Sequence, residues 1–153
     1  VWWLMGSPKP LAVRGLTFAE LRRAEFAAKG IPADTDEHAA ALVTLEDGRS
    51  VFFEACWASN QPDSWSVKLF GTEAGADLTG ALTLYRHEKG QPLEEKVAVA
   101  SDRALSSYAH FVDCILDPSK EMISEAKTCL GVAQVLDALG RSAASGKEVL
   151  IEG

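Results

Sequence analysis

The sequence predicts an α+β domain: a mainly antiparallel open sheet with helices packed on one face and a partner covering the other. Three observations lead there. Ala39 to Leu45 and Val51 to Ala58 flank Glu46-Asp47-Gly48-Arg49 and are apolar on nearly every residue. Short strand-like runs then follow one another from Trp65 to Ala100. In the last third the apolar spacing changes to the period of an α-helix, with Leu105, Tyr108, Ala109, Val112, Ile115 and Leu116 at i, i+3, i+4, i+7.

Val1-Trp2-Trp3-Leu4-Met5 reads as the end of a buried helix, stopped by Gly6 with Pro8 and Pro10 beyond it. A helix that starts at its own last turn suggests an element cut from something longer; a short N-terminal segment is the alternative. Leu11-Ala12-Val13-Arg14 alternates as a strand closed by Gly15. Thr17 and Glu20 form a capping box for a helix running to about Ala28. Asp34-Thr35-Asp36-Glu37-His38 leads into the hairpin, whose Asp-Gly favours a tight reversal. In its second strand Val51, Phe53, Ala55 and Trp57 face one way. Phe52, Cys56 and Ala58 face the other, with Glu54 the exception. One wet face would require alternation of apolar and polar residues, so this pair is read as covered on both sides.

Trp65 to Phe70 is a third strand, ended by the turn Gly71-Thr72-Glu73-Ala74-Gly75, where glycine at positive φ is expected. Asp77-Leu78 and Ala81 to Arg86 are short strands. His87 to Pro92 is a loop, and Leu93 to Ala100 a further strand. These strands in series imply one meander-like sheet. The helix over Leu105–Leu116 stops at Asp117-Pro118. A second carries Ile123, Ala126, Leu130, Ala133 and Leu136 on one face and ends at Gly146. Glu148-Val149-Leu150-Ile151 closes the chain as a strand. The two C-terminal helices are expected to cover one face of the sheet.

At 153 residues the chain fits one domain, 1–153. Its net charge of −7 and the lack of a basic stripe argue against a nucleic-acid partner. No stretch reaches the ~18 apolar residues of a membrane span. Cys56, Cys114 and Cys129 are a poor disulfide framework, so they read as core fillers in a reducing, cytoplasmic setting. His38, His87 and His110 have no metal-ligand spacing, and no metal site is expected. No GxGxxG or GxSxG occurs, so no cofactor-binding or catalytic residue is assigned within the chain.

Ordered segments carry a family resemblance. Trp3-Leu4-Met5-Gly6-Ser7-Pro8-Lys9-Pro10, with Val13 and Gly15, resembles the "WLMGxPKPxxVxG" segment of the glucose–fructose oxidoreductase/inositol dehydrogenase (Gfo/Idh/MocA) family. Glu37-His38-Ala39-Ala40-Ala41-Leu42-Val43 through Asp47-Gly48, then Glu54-Ala55-Cys56-Trp57-Ala58, is similar to "EDxAxAxxxFxNG…LExSW". Leu69-Phe70-Gly71-Thr72-Glu73-Ala74-Gly75 resembles "xxGTEG", and Phe111-Val112-Asp113-Cys114-Ile115-Leu116 resembles "FVDAI". Ala138, Ser142-Ala143, Ser145-Gly146 and Lys147-Glu148-Val149 resemble "AIYRSAxxGxxV". His38 stands where the family usually has Asp, and Gly140 where it has Tyr.

The resemblance implies the C-terminal half of a two-domain NAD(P)-dependent sugar or polyol dehydrogenase: the substrate-binding and oligomerisation domain. The Rossmann domain, with NAD or NADP and the catalytic His and Asp of an HxxD motif, would lie upstream of Val1. This chain alone would then be inactive. Glu37 and His38 at the start of the first hairpin strand, with Trp57, Asn60 and Gln61 after the second, are the expected substrate-binding rim. Phe52, Phe53 and Trp57 are the expected anchors of a homodimer or higher assembly. The competing expectation is a stand-alone, non-enzymatic dimerisation or small-ligand-binding module.

Overall fold

The computed structural model describes residues 2–98, 107–123 and 125–152. The chain divides into two compact units: Val1–Gln61 with Ile123–Gly153, and Pro62–Met122.

The first unit holds β1 (Pro10–Phe18), α1 (Arg23–Ala28), β2 (His38–Leu45), β3 (Ser50–Cys56), α3 (Ala126–Ser145) and β8 (Val149–Leu150). Its sheet runs β3-β2-β1-β8, every pair antiparallel. The expected hairpin is present. Gly48 takes φ +80°, a conformation cheap only for glycine. Arg49 donates to the Asp47 carboxylate, which holds that carboxyl below its ordinary range. It also donates to the Met5 carbonyl at 2.9 Å. Residues Trp3–Met5 form a single 3-10 turn ended by left-handed Gly6.

Alternation sorts this sheet into two faces. Val13, Ala41, Val43 and Leu45 point to α3 and form the core with Val135, Ala138, Leu139 and Ile151; Phe53 packs at its margin. A bulge between Pro10 and Ala12 resets the β1 register. Ser142 is fully buried. Its hydroxyl accepts the Gly15 N–H at 3.0 Å and donates to the Lys147 carbonyl at 2.6 Å, tying helix to sheet. Gly146 ends α3 in the left-handed conformation, as the sequence predicts. On the opposite face Leu16, Leu42, Phe52 and Leu150 stand exposed.

The second unit is a four-stranded meander, β4 (Lys68–Phe70), β5 (Ala74–Asp77), β6 (Thr83–Glu88) and β7 (Gln91–Lys96), with α2 (Ser107–Leu116). Its strands are antiparallel throughout.

Several expectations change. The strands form two sheets rather than one. The cover of the first sheet comes from α3, whereas α2 belongs to the second unit. Strand β1 extends through Phe18, because residues 12–18 pair continuously with β2; the capping box at Thr17 is overruled by that ladder, and Glu20 instead pairs with Arg23. His87 lies in β6, not in a loop. Neither Gly71 nor Gly75 has positive φ. At Gly71 the need is close approach, since a Cβ would stand 2.7 Å from the Ala74 carbonyl oxygen. Cys56 and Cys129 are exposed rather than core fillers. Cys56 falls on the sheet face away from α3. Val99, Ala100 and Leu105 of the expected elements lie outside the described residues.

Candidate functional site

The open end of the β2–β3 hairpin brings Glu37, His38 and Trp57 together. The Glu37 N–H donates to the Phe18 carbonyl at 2.8 Å, and its carbonyl accepts the Trp57 N–H at 3.2 Å. These bonds prolong the β1–β2–β3 ladder by one residue, so side chains from three strands meet there.

Each side chain has its own task. The Glu37 side chain is buried, with the residue only 2% exposed, and accepts the N–H groups of Leu21 and Arg22, the latter at 2.8 Å. These are orphan donors at the start of α1, where no local side chain caps the helix. Its carboxylate is thus spent on folding, which removes it from the expected substrate-binding set. Trp57 lies parallel to Phe26 of α1, ring centroids 5.9 Å apart and planes 12° apart. Its indole N–H donates to the Asp36 carbonyl at 2.9 Å. Glu37 and Trp57 together clasp α1 against the end of the sheet.

His38 points to the face opposite α3, where its Nε2 lies 2.8 Å from Glu54 Oε1. Glu54, on the neighbouring strand, was not among the residues singled out for the site. Its signal was its standing as the lone acid in an apolar strand. Asn60 and Gln61 follow in an exposed stretch; the Gln61 N–H donates to Ser59 Oγ at 3.4 Å. Phe52 lies on the exposed face, 69% accessible, while its neighbour Phe53 packs toward α3. The pleat therefore leaves Phe52 available for a partner and takes Phe53 away from that role.

Chemically the hairpin end offers the His38–Glu54 imidazole–carboxylate pair on the face away from α3, while the Trp57 indole N–H is taken by the Asp36 carbonyl and the Asn60 and Gln61 amides lie in the exposed stretch beyond. Among the described residues every strand pair is antiparallel, and the turn that begins at Gly71 joins strand β4 to strand β5 rather than a strand to a helix. Among the described residues there is no group of three or more metal-ligating side chains, and no helix long and apolar enough to cross a membrane.

No family model matches the sequence, and no curated protein matches it. Solved structures do match. An aldose-aldose oxidoreductase from Caulobacter crescentus, complexed with glycerol, superposes with a TM-score of 0.71 at 17% identity, over 97% of this chain and 43% of that one. A UDP-N-acetylglucosamine 3-dehydrogenase from Acidithiobacillus ferrooxidans gives 0.67 at 19% identity, over 92% and 43%. An NAD-binding oxidoreductase from Klebsiella pneumoniae gives 0.72 at 16% identity, over 99% and 47%. The chain thus spans less than half the length of these proteins. Its fold is that of the C-terminal domain of Gfo/Idh/MocA-type oxidoreductases.

Proposed function

We propose that this chain is the substrate-binding and oligomerisation part of an NAD(P)-dependent sugar or polyol dehydrogenase whose dinucleotide is held by a separate Rossmann domain. The observation that carries this reading is the lopsided coverage: nearly all of this chain matches 43% of an aldose-aldose oxidoreductase. The solved neighbours act on or bind polyhydroxylated molecules by their names, which supports the substrate class. The hydrogen-bonding groups of His38, Asn60 and Gln61 suit such a molecule.

The test is turnover by the polypeptide joined to its Rossmann half. Reduction of NAD or NADP with at least one sugar or polyol is expected; no turnover across a broad panel of both overturns the reading. Within that enzyme, His38→Ala and Asn60→Ala should each lower kcat/KM by about 0.5–1.5 kcal/mol, the usual worth of a neutral hydrogen bond. Unchanged kinetics in both, with folding intact, would take the rim out of the pocket. By itself the chain should show no binding heat with NADH or NADPH; saturable micromolar binding would contradict the division of labour.

The exposed sheet face is the proposed seat of a second copy. Leu16, Leu42 and Phe52 make it apolar, and exposed patches of that kind mark interaction surfaces. Phe52→Asp should shift sedimentation toward the monomer at micromolar concentration. A wild-type chain that already sediments as a monomer would refute the assembly. The stand-alone module is favoured instead if the chain assembles and no Rossmann domain is encoded beside it.

A further inference from the structure

In the second unit one sulfur has two polar groups within reach of it. Cys114 follows His110 by four residues on α2, so the two side chains stand one above the other on the same helix face. The Cys114 Sγ lies 3.6 Å from His110 Nε2. It also lies 3.8 Å from the carbonyl oxygen of Glu121, beyond the end of the helix. Both side chains are half-buried.

The chain after α2 is bent back so that it delivers that carbonyl. Asp117 Oδ1 accepts the Ser119 N–H at 3.1 Å and the Ser119 hydroxyl at 2.6 Å. An aspartate that accepts from the backbone two residues on closes a turn locally. The Lys120 N–H adds a bond to the Asp117 carbonyl at 3.0 Å. Lys120 Nζ then donates to Asp113 of α2 at 2.8 Å, which ties the returning chain to the helix one residue before Glu121.

These separations fit a metal ion. A thiol has one hydrogen, which can serve the imidazole or the carbonyl but not both. Zinc bonds an imidazole nitrogen at about 2.05 Å and a thiolate sulfur at about 2.3 Å, so at a tetrahedral angle the two ligand atoms stand about 3.6 Å apart. His110 and Cys114 already have that separation. An oxygen about 2.1 Å from the same ion would stand about 3.6 Å from the sulfur, near the 3.8 Å of the Glu121 carbonyl. The ligand types select the cation as well. Thiolate with imidazole suits zinc and its neighbours, whereas magnesium and calcium take oxygen ligands. Spacing among the histidines does not reveal the site. Only two of its ligands are side chains, and the third is a main-chain oxygen.

We infer that His110 Nε2, Cys114 Sγ and the Glu121 carbonyl bind a zinc-type divalent cation, with water in the fourth position. On binding, the sulfur–metal bond forms, the S–H bond breaks, and the proton leaves to solvent. The imidazole keeps its hydrogen on Nδ1. The ion fastens the turn at Asp117–Lys120 to α2. The site uses no residue of the hairpin rim and does not depend on the dehydrogenase reading.

The test uses the full chain, reduced and freed of metal, titrated with Co²⁺ as a coloured stand-in for zinc. A thiolate-to-cobalt charge-transfer band should rise in the near ultraviolet, saturate at one ion per chain, and disappear when Zn²⁺ is added. Cys114→Ser should abolish the band. His110→Ala should weaken cobalt binding at least about tenfold, since even a residue that only orients a ligand is worth about 10–100-fold. Cys56→Ser and Cys129→Ser should change nothing. A second measurement needs no variant. Zn²⁺ should protect Cys114 from iodoacetamide, read by peptide mass spectrometry, while the exposed Cys56 is alkylated at its former rate. Four results overturn the site: no band with excess cobalt, a band that survives Cys114→Ser, undiminished binding by His110→Ala, or equal protection of all the cysteines by Zn²⁺.

Discussion

Gly15→Val is expected to destabilise the first unit by about 3 kcal/mol, the upper end of what overpacking a dense core costs. Gly15 lies in β1 under α3. A Cβ at this position would collide with the Leu139 side chain, approach the Ala40 carbonyl oxygen to 2.8 Å and touch the Ala41 Cβ at 3.0 Å. The leucine tip can rotate away, but the carbonyl is fixed in the β1–β2 ladder. Relief therefore requires β1 to shift against β2 beneath α3, and that shift breaks the Gly15 N–H bond to Ser142 Oγ. A part-buried N–H then loses its partner. In a protein of this size the loss should lower Tm by about 6–12 °C. Gly140→Ala serves as the opposite control. It lies on α3 with open space around its would-be Cβ and no positive φ. It should stabilise by roughly 0.5–1 kcal/mol through helix propensity. Thermal melts of the two variants should move in opposite directions; a Gly15→Val protein that melts like the wild type would show that α3 does not seat as described.

Local signals were legible where short stretches of chain decide the outcome. The β2–β3 hairpin is set by Asp47-Gly48, and the end of α3 by Gly146; both glycines take the left-handed conformation. The buried face of α3 did not read so: the expected stripe through Ile123, Ala126, Leu130, Ala133 and Leu136 is exposed, and Val135, Ala138, Leu139 and Ser142 are buried instead, because which stripe meets the sheet is set by packing and not by the period. Nor did the faces of β3. Phe52 and Phe53 are equivalent in the sequence, and only the register with Leu42 and Ala41 separates them. Legibility failed outright where a distant partner outweighs a local motif. Thr17-x-x-Glu20 has the spacing of a capping box, yet Thr17 sits opposite Ala39 in the ladder. Seven paired positions there outweigh one side-chain cap. The division into two sheets was hidden for a related reason. Strand runs in series look the same whether they join one meander or split into two, and only the pairing partners tell. In the candidate site, the residues at the hairpin's open end could be named from the sequence, but not their tasks, because the contacts of Glu37 and Trp57 with the α1 region span 15 to 31 positions.

Glu37→Ala should cost about 2–4 kcal/mol, because it removes a buried carboxylate from two backbone donors rather than a surface charge. With Glu37 gone, the N–H groups of Leu21 and Arg22 lose their acceptor at the start of a helix only six residues long. So short a helix has little stability of its own. Its anchors to the sheet are the Glu37 cap and the Phe26–Trp57 stack. Losing the first puts the burden on the second, and α1 should detach before the sheet unfolds. Amide hydrogen exchange should report this as early loss of protection over residues 22–29, while β2 and α3 stay protected. Glu37→Gln keeps one acceptor oxygen and should recover part of the loss. The same pair of variants decides between folding and substrate binding. As a cap, Glu37 affects stability strongly and affects KM only through the placement of Trp57. A Glu37→Ala protein that keeps its α1 protection and its melting temperature but binds substrate more weakly would return the carboxylate to the pocket.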